Sequence, residues 1–163
     1  MPVFEPAFFY FAPQNNEIII NFVFLIRMEI LEKILALRKI HPTAMRILVL
    51  KELQNSEHAV SLNELENLFE QADKTTLYRT LKTFEKNKLV HSIEDGTGSV
   101  KYALCDETCE CLPEETHIHF HCTNCGHTFC MKDVSLPKIS LPKKFKAQET
   151  NLVVKGLCDK CSA

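Results

Sequence analysis

Asp73-Lys-Thr-Thr-Leu-Tyr-Arg-Thr-Leu-Lys-Thr-Phe-Glu-Lys-Asn-Lys88 is the stretch that decides the fold. Asp73 is a good N-cap, and Leu77, Leu81 and Phe84 recur at i, i+4 and i+7, so a helix from about Lys74 to Asn87 buries one stripe. Tyr78, Arg79, Lys82 and Lys86 then share the opposite arc. Lys74 to Lys88 holds five basic residues against one acid, Glu85, in a chain of formal charge −2. Positive charge is therefore local, which excludes a globally basic binder and leaves room for one nucleic-acid face.

Working outward from this helix toward the N-terminus, Ser61 and Glu64 form a capping box, followed by Leu62, Leu65, Leu68 and Phe69 at helical spacing. This preceding helix is acidic, with Glu64, Glu66 and Glu70. Pro42 suits the first turn of an earlier helix whose buried side is Ile47, Leu48, Leu50 and Leu53. From Met28, Ile30, Leu31, Ile34, Leu35 and Leu37 predict a first helix with Glu29, Glu32, Lys33 and Arg38 outside. On the C-terminal side, Leu89–Ile93 and Val100–Leu104 read as strands, and the Asp95-Gly96 step with Gly98 permits a hairpin between them. Helices plus hairpin give a winged helix-turn-helix, with the basic helix placed for the major groove and the wing along the backbone.

The first 27 residues differ from the rest. Six of the eleven phenylalanines lie there, and the run Ile18–Ile26 is too short to span a bilayer and has no basic residue before it. Met28 is expected to be the true start, with 1–27 a mis-assigned or disordered extension; a membrane-surface or partner-binding segment is the alternative, without the polybasic face such segments use. The domains expected are 1–27 as this extension, 28–104 as the DNA-binding unit and 105–163 as a metal-binding unit.

That last unit is organised around His117-Ile-His-Phe-His-Cys-Thr-Asn-Cys125. In a strand, His117, His119 and His121 share a face, expected to be wet, while Ile118 and Phe120 share the other, expected to be dry. Cys122-x-x-Cys125 and Cys158-x-x-Cys161 are two knuckles whose four thiolates fit one tetrahedral zinc. The 32 residues between the pairs exceed ribbon spacing, so the ion is expected to tie the chain end back onto a small sheet. The chain of 163 residues holds one domain or two small ones, and a sub-domain of about 60 residues buries little core, so a metal supplements it. Knuckle spacing in a chain of eight cysteines favours metal in a reducing, cytoplasmic compartment over disulfides.

Lys74-Thr-Thr-Leu-Tyr-Arg-Thr-Leu-Lys82, Leu89-Val90, Tyr102, His117-x-His-x-x-Cys-x-x-Cys125 and Gly156-Leu-Cys-x-x-Cys161 together resemble the ferric uptake regulator family of metal-dependent bacterial repressors, over about residues 28–161. The resemblance implies an α+β chain: an N-terminal winged-helix domain followed by a small α/β dimerisation domain. It also implies a structural zinc on Cys122, Cys125, Cys158 and Cys161, a regulatory metal at the hinge, and a homodimer on a DNA operator with dyad symmetry. Tyr78 and Arg79 match positions placed at the DNA, and Thr75, Thr76, Lys82 and Lys86 complete the candidate DNA face.

In zinc-sensing members, the hinge positions correspond to His91, Cys105, His117 and His119, with histidine at 91 in place of an acid. Imidazoles and a thiolate suit zinc, whereas iron and manganese sites lean on carboxylates. The acid that iron and peroxide sensors place five residues past the second knuckle cysteine is Cys130 here. Their loop histidine aligns with Ala59, one residue from His58. An additional site built from Thr116 and Ile118 is not expected, because Ile118 cannot ligate. Cys109, Cys111 and Cys130 are possible substitutes for Cys105. His121 and Cys130 are possible spectators too, and His127 is expected to be a surface histidine.

The expected function is a zinc-activated repressor of zinc-uptake genes, with a second, regulatory zinc closing the hinge, no membrane association and no catalytic activity. An iron- or peroxide-responsive regulator, its site then holding iron or manganese, is the alternative within the family. A thiol-redox or metal-trafficking protein is the alternative of another class, but nothing upstream of either CxxC resembles a thioredoxin-like unit.

Overall fold

The computed structural model describes residues 15–105, 117–131, 134, 140–146 and 150–163, and only the backbone of residues 15–24. Its elements run α1 (Asn15–Leu37), α2 (Ala44–Asn55), β1 (Val60–Ser61), α3 (Leu62–Leu68), α4 (Lys74–Lys86), β2 (Val90–Glu94), β3 (Val100–Leu104), β4 (Ile118–Cys122), β5 (Thr128–Met131) and β6 (Val153–Gly156). Two separate three-stranded sheets form, ordered β1-β3-β2 and β5-β4-β6.

Local chemistry sets the helix ends. The Asp73 carboxylate accepts from Thr76 N at 2.9 Å, which caps α4. Ser61 and Glu64 make the reciprocal capping box of α3. At their C-termini, α1 and α4 close in the same way: Ile40 N bonds Leu35 O at 2.8 Å, and Leu89 N bonds Phe84 O at 2.9 Å. In each case a lysine, Lys39 or Lys88, takes the left-handed conformation where glycine is usual. The apolar residue that follows, Ile40 or Leu89, returns to the core.

Several expectations need correction. The first helix does not start at Met28 but runs unbroken from Asn15. Within it Leu31 and Leu35 are buried, but Ile30 and Leu37 are exposed, because they lie about 100° or more around the helix from that seam. Pro42 precedes the N-cap Thr43 and so stands outside α2, whose buried side is Ile47, Val49, Leu50 and Leu53 while Leu48 faces out. The short strand β1 pairs with β3 across Val60↔Tyr102 and was not legible in a two-residue run.

One core joins α1, α2, α3, α4 and the wing strands, centred on Leu50, Leu65, Leu77, Leu81 and Phe84, all fully buried. Phe84→Ala would empty the space between α4 and its neighbours. It is expected to cost about 3–5 kcal/mol, measured as a lowered urea midpoint for loss of helical signal. The second sheet has no such core: among the described residues its only buried apolar groups are the thiols of Cys122 and Cys158. The helical part expected of an α/β unit does not fall among the described residues.

Candidate metal centres

Chain reversal after β4 builds the first centre. Gly126 takes φ +75°, a conformation that costs other residues, and lets its N–H bond Cys122 O at 2.9 Å while Cys122 N bonds His127 O. β6 runs parallel to β4 and delivers Cys158, whose N–H approaches Cys122 Sγ at 3.4 Å. Gly156 sits close against Phe120, where a Cβ would lie 3.2 Å from the ring.

The four sulfurs of Cys122, Cys125, Cys158 and Cys161 lie within 4.8 Å of one another. Cys125 and Cys158 sulfurs are 3.9 Å apart. Tetrahedral zinc with bonds of about 2.3 Å requires edges of about 3.8 Å, so the spacing fits a zinc and not a disulfide. Backbone N–H groups of Cys125 and Cys158 bring the Cys122 thiol down to about 6, favouring the thiolate a metal needs. Burial, together with hydrogen bonds from its neighbours, pushes Cys158 the other way.

The second group lies where wing and second sheet meet. His91 on β2, His117 just before β4, His119 on β4 and Cys130 on β5 place their ligand atoms within 4.8 Å of one another. His91 Nε2 stands 3.2 Å from His119 Nε2 and 3.5 Å from Cys130 Sγ. A tetrahedral ion with bonds of about 2.05 Å to nitrogen and 2.3 Å to sulfur needs about 3.3 and 3.6 Å. Burial and the neighbouring His117 ring hold His119 down at about 4, so its imidazole is neutral and ready to ligate at pH 7.

The thiol in this group is therefore Cys130, where sequence placed Cys105. Strand register is the reason: β4 and β5 pair His119↔Cys130, putting both side chains on one face. Cys105 Sγ instead approaches the other ring nitrogen, His91 Nδ1, at 3.6 Å. Cys109 and Cys111 lie outside the described residues.

The face expected to be wet is also the covered one. His119 and His121 are buried under the winged helix, while Ile118 and Phe120 on the opposite face are only half-buried. Among the described residues His121 joins no ligand group and is held in a buried polar network instead. Its Nδ1 lies 3.0 Å from Thr128 Oγ1, which donates at 2.6 Å to the buried carboxylate of Asp95 in the wing turn. Thr97 also bonds Asp95 through its N–H and hydroxyl, and Lys101 Nζ, 4.0 Å away, donates to Gly126 O at 2.6 Å. Burial raises Asp95, but the threonine hydrogen bonds and His121 outweigh it and bring the carboxyl down to about 2. His58 does not reach the hinge group, and His127 is half-buried rather than a surface residue. Asp95 carries no sequence signal beyond its turn.

On α4, Thr75, Thr76, Tyr78, Arg79, Lys82 and Lys86 are all exposed, while Leu77, Leu81 and Phe84 face the core. Thr76 is engaged with the Asp73 cap, and Lys82 pairs with Glu85 at 2.7 Å. No helix among the described residues is long and apolar enough to cross a membrane.

The profile of the ferric uptake regulator family matches residues 26–156, most of the chain. Among solved structures, the chain is similar to a zinc uptake regulator complexed with zinc and DNA, at 24% identity and TM-score 0.58, covering 83% of this chain and 95% of that one. It is similar to the Vibrio cholerae ferric uptake regulator at 18% identity and TM-score 0.55, covering 78% and 98%. A zinc-bound manganese uptake regulator aligns at 21% identity and TM-score 0.51, covering 78% and 98%. At these identities the likeness establishes the fold. No curated protein sequence matches the chain.

Proposed function

This chain belongs to the ferric uptake regulator family of metal-responsive transcription regulators, and from that premise we propose that it is a zinc-activated repressor of zinc-uptake genes, acting as a cytoplasmic homodimer on a dyad-symmetric operator. Members of the family are transcription regulators rather than enzymes. The observation that carries the zinc reading is the convergence of three imidazoles and one thiol, from His91, His117, His119 and Cys130, with no carboxylate in the group among the described residues. Such a set suits zinc better than the harder ferrous or manganous ions.

Cys122, Cys125, Cys158 and Cys161 hold the structural zinc in this reading. The regulatory zinc joins the wing strand, through His91, to the sheet of the second unit, through His117, His119 and Cys130. Its binding energy favours the one angle between units that brings those ligands together. Partner subunits meet on the half-buried Ile118 and Phe120 face, where Val154 is 44% exposed. The paired α4 helices then stand in adjacent major grooves, with Tyr78 and Arg79 toward bases and Thr75, Lys82 and Lys86 toward phosphates.

The test is operator binding by purified protein, its structural zinc intact, in buffered zinc, ferrous iron and manganese. Zinc alone is expected to drive binding. Cys130→Ala should raise the zinc required by about 100-fold or more, with Cys105→Ala having the smaller effect. Equal response to iron or manganese, with Cys130→Ala silent, would sink the zinc reading. Arg79→Ala should weaken binding about 10–100-fold at saturating zinc without shifting the zinc midpoint, as measured by fluorescence anisotropy.

A further inference from the structure

A third group of ligand-type side chains shares no residue with either centre, though Cys125, Cys158 and Cys161 of the knuckles line the same cleft. His58, ahead of β1, Glu64, in the first turn of α3, and His127, in the turn leading into β5, place a ligand atom each within 4.8 Å of one another. All three are half-buried. From these residues we propose a third metal site, taking a zinc-class divalent ion on two imidazoles and one carboxylate.

Their remaining donor atoms are uncommitted. His58 uses Nδ1 against Ala59 O at 3.1 Å, which leaves Nε2. Glu64 spends Oε2 on Ser61 N at 2.6 Å, which leaves Oε1. The His127 ring makes no hydrogen bond among the described residues; it stacks on His58 with centroids 3.8 Å apart and planes at 16°. Two parallel rings cannot both aim at one ion, so coordination turns one of them about its Cβ–Cγ bond. A cleft of about 430 Å³ beside them, walled by Glu52, Asn55 and Ser56, gives the space. Lys160, whose charge would oppose a cation, is held by Glu57 at 2.9 Å.

This placement gives the ion a structural consequence. His58 and Glu64 belong to the winged helix, and His127 to the second sheet at its β5 edge, where Ala59 N already bonds Thr128 O at 2.7 Å. Cys130 of the hinge group is three residues further along, about 10 Å away. An ion here pins the same two units at a second point. Lacking thiolate and more open to water, it fills at higher free metal than the hinge.

Cobalt(II) titration of the full chain carrying His117→Ala and His119→Ala, with zinc in its knuckles, tests the site without the hinge. One cobalt equivalent is expected, showing weak d–d bands and no thiolate-to-cobalt charge-transfer band. His58→Ala and, separately, His127→Ala should each abolish it, and Glu64→Gln, which keeps an acceptor for the capping box, should weaken it about 10-fold. Retained knuckle zinc and an unchanged circular dichroism spectrum certify each variant; should His127→Ala release the knuckle zinc, His58→Ala decides. No cobalt equivalent, one that survives His58→Ala, or one with a thiolate band would overturn the proposal. None of these outcomes touches the hinge reading, which is judged by Cys130→Ala in the otherwise unaltered chain.

Discussion

Cys158→Ser is expected to dismantle the second sheet while leaving the winged helix folded. The winged helix rests on fifteen buried core residues drawn from its helices and wing. Among the described residues, β4, β5 and β6 bury no aliphatic side chain or phenyl ring as fully. What joins them is a parallel pairing of β4 with β6, a Gly156 seated against Phe120, and four sulfurs at tetrahedral spacing. Structural zinc sites contribute on the order of 10–16 kcal/mol of folding free energy in small domains, far more than three short strands supply by themselves. Serine at 158 removes one thiolate and leaves the other three sharing an incomplete shell.

Zinc content is therefore expected to fall by one equivalent per chain. Amides of Ile118–Cys122, Thr128–Met131 and Val153–Gly156 should lose hydrogen-exchange protection, while those of α2 and α4 keep theirs. Chelation of the native chain should reproduce the pattern, reversibly. If Cys158→Ser keeps both its zinc and its protection, the knuckles are not a structural centre. Because the hinge donors His119 and Cys130 sit on β4 and β5, operator binding should disappear as well, at any zinc concentration.

What the sequence made legible was local. The Asp73 cap, the Ser61–Glu64 box, the inward Leu77-Leu81-Phe84 stripe and the exposed Tyr78-Arg79 arc all follow from spacings within four residues, where helix geometry leaves little choice. The knuckles were legible for the same reason. His91, His117 and His119 were expected at one hinge group, and the structure brings their side chains together. Which thiol lies beside them was harder to read, since placing Cys130 there needs the β4–β5 register and the angle at which the wing meets that sheet. A turn centred between Asn124 and Cys125 would have placed 130 opposite 119, but no spacing rule says which wing residue arrives above them. Asp95, His121 and Thr128 were illegible as a network for that reason. Ile30, Leu37 and Leu48 misled because apolar residues at roughly helical spacing need not all face one core.

Asp95→Ala is expected to weaken regulatory zinc binding although it changes no ligand. Asp95 is 1% exposed and holds the wing turn against the second sheet, through Thr128 on β5 and, beside it, His121 on β4. The same strands carry Cys130 and His119, two residues further along each. With its carboxyl at about 2, Asp95 remains ionised throughout the physiological range, so the contact persists at every pH at which the regulator works. Removing the charge leaves the Thr128 and Thr97 hydroxyls without their acceptor and Lys101 without its counter-charge in a closed space, a loss of about 3–5 kcal/mol for a buried charged network. Much of it falls on the docking of wing to sheet, and that docking positions His91 over His119. Zinc must then supply the ordering itself, and its affinity for the hinge should drop about 10–100-fold, the range seen when partners that orient metal ligands are lost. Competition with a chromophoric chelator measures it. Asp95→Ala with Thr128→Val removes the stranded hydroxyl too and should recover part of the stability but not the zinc affinity, since the polar link between the units is still missing. A hinge that binds zinc equally well in Asp95→Ala would show that the wing is positioned without this contact, and that the metal, not the Asp95 network, sets the angle between the units.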